Sequence, residues 1–359
     1  MRRRASLVLL SLAVFFAAMA PTLRWYVFPR VVKIPSNQYQ VTVLEAKPAT
    51  LLNYSTFKAE KVDKLTIIQT LKGNVEESRR IGRDAGRDVV VWDSLSYVQG
   101  PDGKMVSKIP ERYVFDAHTQ DPVNATGEMV DGDPVRRTGI EFKWPFLVEK
   151  RDYQYFDAQT RTSAPIHYKG TRTFRGMEVY YFEQTVPWTK VPMPKAMPIK
   201  GITPEVLAQT GLTRWYTTKR MFWVDPVTGA PVNGEEIHTE ELRNAKALMG
   251  QDTITVFDGH VKMREDYIES IGALVKSNRL AVLMVVSYLP WTFSLLALLL
   301  LALSLWLEAR SRRPHPTPSE PPTADPAPGP PQGPGPDPGP APGRGPGPDP
   351  GPGPFTAPV

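Results

Sequence analysis

The sequence contains no cysteine, so disulfide bonds and thiolate metal sites are excluded. A domain outside the cytoplasm would therefore have to be stabilised by its own core, which about 250 residues can supply. The net charge of +6 is not gathered in a long basic run or on one predicted face. Because nucleic-acid binders concentrate basic charge in this way, we expect no nucleic-acid partner.

Local signatures of catalysis are also missing. The chain has no H-E-x-x-H, G-x-S-x-G, Walker or G-x-G-x-x-G motif, and its five histidines show no metal-ligand spacing. Paired acids such as Glu235-Glu236 and Glu240-Glu241 are interpreted as solvated charge. We therefore expect no enzyme, no cofactor and no metal, with a hydrolase whose site residues are scattered along the chain as a less favoured alternative.

The longest uncharged stretch, residues 280–307, indicates a transmembrane helix. A bilayer core about 30 Å thick needs about 20 apolar residues, and this stretch is longer. Pro290 removes one backbone donor, so we expect a kink there. Arginines at positions 310, 312 and 313 follow directly and indicate the cytoplasmic side.

The amino-terminal segment is a second candidate span. Residues 1–4 form a basic start, and residues 5–28 are largely apolar, as in a signal peptide. Pro21 would follow the Ala18-Met19-Ala20 cleavage pattern, and proline there makes a poor substrate. We therefore expect an uncleaved signal anchor, with a cleaved signal peptide as the alternative. Both termini are then cytoplasmic, and the protein crosses the cytoplasmic membrane twice with its main domain outside.

The region between the spans has a β-strand pattern. After an extended stalk at residues 29–38, alternating and β-branched runs recur through residues 39–260, with no strong helix of ten residues among them. This predicts a mainly β (α+β) fold with one large, curved, antiparallel sheet flanked by the two helices. The predicted strands are Gln40–Glu45, Leu65–Leu71, Val89–Val98, Tyr113–Phe115, Gly139–Trp144, Tyr153–Phe156, Ile166–Phe174, Glu178–Val186, Arg214–Val224 and Thr253–Phe257.

An Asp-x-x-Thr pattern occurs three times after apolar or aromatic residues. An aspartate carboxylate accepts from the backbone two or three residues on, so we interpret each copy as a tight turn. A calcium loop is the alternative, although each copy offers a single carboxylate. The turn residues are Asp116, Thr119, Asp157, Thr160, Asp225, Thr228 and Gly229.

A proline-rich segment between Glu183 and Glu205 carries no acid and interleaves lysine with tryptophan and methionine. It is interpreted either as a surface connection or as a flap that contacts a membrane, a ligand or a partner. A short helix from Pro204 to Gly211 and a juxtamembrane helix at residues 261–279 follow. The candidate contact residues of the flap are Trp188, Lys190, Met193, Lys195, Met197 and Lys200.

Residues 308–359 form a proline- and glycine-rich segment with little to bury, predicted to be a disordered cytoplasmic tail. Short P-x-x-P ligands for cytoplasmic partners are the alternative to a bare solvated tail.

Residues 1–310 resemble an actinobacterial family of two-span envelope proteins known as the porin PorA family. The segments Tyr153–Asp157, Gly176–Phe182 and Trp223–Gly229 carry the resemblance. It implies a role in handling or trafficking envelope lipids or glycolipids, beside an RND-type lipid exporter.

Two helical spans in one chain cannot by themselves enclose a pore, and a membrane β-barrel would not carry helical anchors. We therefore expect a membrane-anchored extracytoplasmic binding protein for envelope lipids or glycolipids, in contact with the lipid bilayer. A structural scaffold that recruits partners through its spans and tail is the alternative.

Overall fold

The computed structural model describes residues 2–196, 203–244 and 252–311. Two of the predicted contact residues, Met197 and Lys200, lie outside these ranges, as does the predicted tail beyond residue 311. The described residues belong to a unit that spans residues 1–312.

The described chain forms one antiparallel sheet of thirteen strands, which confirms the predicted fold class. The strands lie in the order β7-β6-β5-β4-β3-β1-β13-β12-β11-β10-β9-β8, and β2 pairs with β1. Their bounds are β1 Tyr39–Asn53, β2 Lys58–Val62, β3 Leu65–Gly73, β4 Val89–Gln99, β5 Met105–Asp116, β6 Met129–Val130, β7 Asp133–Pro134, β8 Tyr153–Asp157, β9 Thr162–Phe174, β10 Met177–Val191, β11 Leu212–Val224, β12 Pro231–Asn244 and β13 Thr253–Met263.

The sheet curves until its two ends approach each other. Residues 135–142, here called the seam segment, follow β7 at one end and contact β8 at the other. Ile140 N–H donates to the carbonyl of Gln154 at 2.8 Å, and its own carbonyl accepts from Phe156 N–H at 3.0 Å. The predicted strand Gly139–Trp144 is therefore wrong: Gly139 and Phe142 have φ of 74° and 62°, which interrupts an extended conformation.

One helix inside the domain was not expected. Helix α3, Val75–Ala85, spans 11 residues and contradicts the expectation that the strands enclose no strong helix. Its signals were present in the sequence: the Asn74 side chain caps Glu77 N–H at 3.1 Å, and Gly86 ends the helix with φ of 65°. Surrounding strand patterns obscured these signals.

The two apolar segments form long helices that pack against each other. The first runs through α1 (Arg2–Pro21), a π-helical turn (Thr22–Val27) and α2 (Phe28–Val31); the second runs through α5 (Glu265–Leu283), a π-helical turn (Met284–Tyr288) and α6 (Leu289–Ser311). A short helix, α4, spans Pro204–Gln209. By length and composition the two long helices could cross a membrane.

The paired helices run antiparallel with small residues between them. Ser6 and Ser304 exchange hydrogen bonds through side chains and carbonyls at 2.8–3.2 Å. Phe16 lies against Phe293 with ring centroids 5.3 Å apart. Small buried residues recur every seven positions on α1 and α6, which lets the backbones approach closely. They are Ser6, Ala13, Ala20, Ala297 and Ser304.

Pro290 lies directly after the π-helical turn of the second helix, at the predicted kink. Because proline has no N–H, the carbonyl of Val286 four residues earlier lacks its usual helical donor. Arg24 of the first helix supplies one instead, with Nη1 donating to the Val286 carbonyl at 2.6 Å. The arginine thus satisfies a backbone group that the proline leaves unpaired.

Two of the Asp-x-x-Thr turns hold the chain where the long helices meet the sheet. Arg279 of α5 donates to the fully buried Asp225 at 2.9 Å. Near the other turn, Ile34 N–H donates to the carbonyl of Ala117 at 2.9 Å. The sheet end that carries these turns therefore lies next to both helices.

Candidate functional site

A cavity of about 350 Å³ lies inside the curved sheet. Its lining extends from Pro194 and Tyr54 at one end of the strands to Met263 and Tyr267, where β13 ends and α5 begins. The alternation of side chains along each strand explains the lining, since every second residue of these strands faces inward. The cavity therefore follows the length of the strands.

One wall of the cavity carries a buried network of charges, here called the charged wall. Arg220 Nη2 lies 2.7 Å from Asp157 Oδ2 and 3.2 Å from Glu236 Oε1. Arg214 Nη2 lies 2.7 Å from Glu240 Oε2, and His238 Nε2 lies 2.8 Å from Glu240 Oε1. Three basic groups thus face three carboxylates.

The pairing shifts the pKa values on this wall. Burial opposes a charge on the imidazole, but hydrogen bonds and charges from Glu236 and Glu240 outweigh it and raise the pKa of His238 to about 9. Burial likewise opposes a charge on Glu240, yet Arg214 and His238 lower its pKa to about 2. The pKa of Glu236 is also lowered, against burial, mainly by Arg220. Glu236, His238 and Glu240 are therefore all ionised at neutral pH.

The opposite wall is polar without charge. Thr42 pairs with Gln69 across β1 and β3, and Gln69 pairs with Ser96 across β3 and β4. All three line the cavity, between apolar residues such as Leu44 and Ile67. Within the described ranges, the side chains of Gln69 and Ser96 make no hydrogen bond, so both remain available to a solute or to water.

A second buried cluster lies where the two ends of the sheet meet. Arg137 of the seam segment donates to Glu141 Oε2 at 2.8 Å, to Glu128 Oε2 at 3.1 Å and to Glu111 Oε2 at 3.0 Å. Burial raises the pKa of all three glutamates, and that of Glu141 lies well above its usual value. Two of these acids, Glu111 and Glu141, also line the cavity.

Pro194 of the proline-rich flap lines the cavity end that lies away from the long helices. Lys195 N–H donates to Asp131 at 2.7 Å and its ammonium to Asp133 at 2.5 Å, while Met193 packs on a core cluster with Leu52 and Leu242. The contact of the flap with a membrane or a ligand stays a prediction.

The two other described flap candidates lie on the outer face. Trp188 is 40% exposed with the Arg243 guanidinium 4.4 Å from its ring, and Lys190 is exposed on β10.

Each Asp-x-x-Thr carboxylate accepts from the backbone of its own turn. Asp116 accepts from Thr119 N–H at 3.1 Å, Asp157 from Thr160 N–H at 2.7 Å, and Asp225 from Thr228 N–H and hydroxyl at 2.8 Å. At Gly229 φ is 72°, and a Cβ there would lie 2.2 Å from the Trp144 carbonyl oxygen.

Each of these aspartates also has an arginine partner that the sequence did not reveal. The partners are Arg87, Arg220 and Arg279, in the order of the turns. Among the described residues no group of three or more acids and histidines could hold a metal ion.

The charged wall was not predicted from the sequence. Glu236, His238 and Glu240 alternate along β12 and so share its inner face. The interpretation of Glu235-Glu236 and Glu240-Glu241 as solvated charge is therefore wrong for one member of each pair. Alternation at every second residue was the available signal, but their arginine partners lie on another strand and could not be identified locally.

Comparison with known proteins gives a consistent result. A model of the family described as Porin PorA matches residues 5–306. A Porin PorA of Corynebacterium resistens is 29% identical over 192 residues, which cover 37% of this chain and 46% of that protein. A Porin PorA of Corynebacterium amycolatum is 23% identical over 297 residues, covering 66% of this chain and 77% of that protein. The first match thus spans less than half of the relative.

These names correct the functional expectation. The relatives are named porins, so the expected handling or trafficking of envelope lipids is wrong, and the scaffold and hydrolase alternatives gain no support. The lipid-binding and signal-anchor interpretations are wrong for the same reason. The matched region begins at residue 5 and includes the first apolar helix, which therefore belongs to the porin-family region.

Two broader expectations, a location in the cell envelope and a function other than catalysis, agree with the names of these relatives. Porins are channel-forming proteins of the cell envelope, which agrees with an envelope location and favours a protein that is not an enzyme.

Proposed function

This chain belongs to the Porin PorA family, and we propose that it forms a channel for small polar solutes in the cell envelope, with the cavity as part of the path. The observation that carries the proposal is the cavity lining, which follows the strands from Pro194 to Tyr267. A charged wall faces a row of hydrogen-bonding side chains across it, as a polar solute in transit requires.

The membrane part of such a channel needs more than one copy of the chain. The two long helices of one copy contact each other through small residues, and Ser6 bonds directly to Ser304, which leaves no passage between them. A helical pore would then form between copies, around the outer faces of the helix pairs. This removes the objection that two spans cannot enclose a pore.

The proposed topology has both termini in the cytoplasm and the sheet outside. The proposed boundaries keep the spans at residues 5–28 and 280–307. The sheet extends from Tyr39 to Met263, three residues beyond the predicted end at 260. Since the chain has no cysteine, single introduced thiols report sidedness cleanly. Lys190→Cys, at an exposed position on the outer face of β10, should react with an impermeant maleimide in intact cells, and Ser319→Cys should react only after lysis. Labelling of both in intact cells contradicts this topology.

Flux through the cavity is tested by narrowing it. Gln69 of β3 faces the cavity, whereas its neighbour Thr70 points to the other face of the sheet. In full-length protein reconstituted in planar bilayers, Gln69→Trp should abolish most of the conductance because the indole fills the path. Thr70→Trp, the matched control on the same strand, should keep it.

Two results would overturn the proposal. One is the absence of conductance from the unmodified protein at every protein-to-lipid ratio. The other is equal conductance of the Gln69→Trp and Thr70→Trp proteins when both retain the circular dichroism of the sheet. The expected contact with an RND-type exporter stays a prediction that these experiments do not address.

A further inference from the structure

The cluster around Arg137 has more negative groups than positive ones. Arg137 is 1% exposed, and Glu111, Glu128 and Glu141 are each 5% exposed or less. One guanidinium can neutralise one carboxylate, and ionised carboxylates without a partner are very costly to bury. The cluster therefore needs bound protons to exist in this form.

The geometry indicates where a proton lies. Glu141 Oε2 accepts from Arg137 Nε at 2.8 Å and Glu111 Oε2 accepts from Arg137 Nη2 at 3.0 Å. These two nitrogens are adjacent donors on one edge of the guanidinium, so the two carboxyl groups lie side by side. Two ionised carboxylates in this position would repel each other, whereas a proton on one of them lets it donate a hydrogen bond to the other. Glu128 accepts separately, from Arg137 and from Ala125 N–H at 3.0 Å.

The shared bond joins two parts of the chain that no strand ladder connects. Glu111 belongs to β5 near one end of the sheet, and Glu141 belongs to the seam segment, which contacts β8 at the other end. Arg137 reinforces the contact by donating to the Arg112 carbonyl at 3.1 Å and lying over the Phe156 ring at 4.6 Å. The bond therefore helps to close the side of the cavity.

Few other ionisable groups face this contact. Tyr113 of β5 lies beneath the guanidinium, and its hydroxyl donates to the Gln120 carbonyl at 2.8 Å. From β8, the charge of Asp157 contributes to the raised pKa of Glu111, and Asp157 itself is paired with Arg220. Tyr155, whose pKa is raised by burial and by the charge of Glu141, is uncharged. No basic group other than Arg137 bonds to the two glutamates among the described residues.

We propose that Glu111 and Glu141 hold one proton between them at neutral pH, and that release of this proton opens the contact between β5 and the seam segment. Loss of the proton removes a hydrogen bond and leaves two buried negative charges side by side, which repel each other. The seam segment then moves away from β5, and the cavity opens sideways.

The direction of the pH dependence follows from linkage. Burial raises the pKa of both carboxyl groups. Their contribution to the stability of the closed form is therefore complete at low pH and is lost as the pH rises through these raised pKa values. The seam should therefore open on the alkaline side. A consequence for solute flux rests on the proposed channel function, but proton binding and opening do not.

The test follows hydrogen exchange of residues 135–142 by mass spectrometry across a pH series, on the full chain in detergent. After correction for the intrinsic pH dependence of exchange, the unmodified protein should lose protection in an alkaline transition. Glu141→Gln keeps a donor for Glu111 and an acceptor for Arg137 but releases no proton, so the transition should be lost. Glu235→Gln removes an acid that pairs with His260 of the neighbouring strand, away from this contact, and should keep the transition.

Infrared difference spectroscopy of the unmodified protein is a second test, which does not depend on whether Glu141→Gln folds. The unmodified protein at neutral pH should show the carbonyl band of a buried protonated carboxyl group, and the band should disappear in the same alkaline transition. Absence of this band, or an unchanged transition in folded Glu141→Gln, overturns the inference.

Conductance separates this inference from the proposed function. An alkaline transition in exchange without any conductance leaves the inference standing and rejects the channel. Conductance together with constant hydrogen exchange in the seam segment across the alkaline range supports the channel and rejects the inference.

Discussion

Removal of the Arg220 guanidinium should destabilise the sheet strongly. Arg220 Nη2 contacts Asp157, Glu236 and the Tyr216 hydroxyl within 3.2 Å, and Nη1 donates to Gln184 at 3.0 Å. Arg220→Met keeps the length of the side chain and removes its charge and all four hydrogen bonds. Asp157, whose side chain is 3% exposed, is then left as a buried carboxylate without a cation.

The expected loss is about 3 to 5 kcal/mol, the usual cost of removing one partner from a buried ion pair. The free energy of unfolding of a domain is typically about 5 to 15 kcal/mol, so a loss of this size should be clearly measurable in equilibrium unfolding by denaturant. The measurement is the free energy of unfolding of the full chain in detergent, followed by circular dichroism of the sheet. The double variant Arg220→Met/Asp157→Asn should recover part of the loss, because it also removes the stranded charge.

Arg243→Met is the matched control for this substitution. Arg243 lies on the outer face of β12 between Trp188 and Trp215 and pairs with Glu241, and its side chain is 32% exposed. Its replacement should cost about 1 kcal/mol or less. Equal losses for the Arg220 and Arg243 variants, or no recovery in the double variant, would refute the argument from buried charge.

Two further outcomes follow from the contacts described above. His238 has a pKa raised from 6.5 to about 9. Its protonated form therefore contributes up to about 3 kcal/mol to the free energy of unfolding; this contribution is complete below pH 6.5 and is lost as the pH rises through 9. His238→Gln should flatten the pH dependence of the free energy of unfolding in that window. Arg24→Leu should weaken the packing of the two long helices in detergent, and Pro290→Ala should rescue it by restoring an N–H for the Val286 carbonyl. Additive effects of these two substitutions in a double-mutant cycle of helix-pair stability would contradict the second expectation.

The strands were predictable because their signal is local. Alternation marked β3, β4 and β11 within a few residues of their observed bounds, since inward and outward positions differ in polarity along each strand. The apolar helices were predictable for a similar reason. Gly139–Trp144 failed because its β-like composition belongs to a segment where Gly139 and Phe142 turn the chain.

The candidate site was not predictable to the same extent. Arg137 bonds Glu111 from 26 positions away, and Arg220 bonds Asp157 from 63 positions away. A curved sheet was predicted, but such pairs depend on which strands the curvature brings together, and one sequence does not specify those pairings. The functional expectation failed on a related point, because it required one chain to enclose a pore and did not consider a pore formed between copies.

The two buried clusters differ in how their charges are balanced. On the charged wall, three basic groups meet three carboxylates, and the pKa values of Glu240, about 2, and His238, about 9, keep that pair ionised between these limits. A path with balanced charges that do not change over this range keeps the same potential for a passing solute. Around Arg137 three carboxyl groups meet one guanidinium, so the charge of that cluster depends on bound protons. Bound protons therefore set the charge around Arg137, whereas the Glu240–His238 pair keeps its charges across the neutral range.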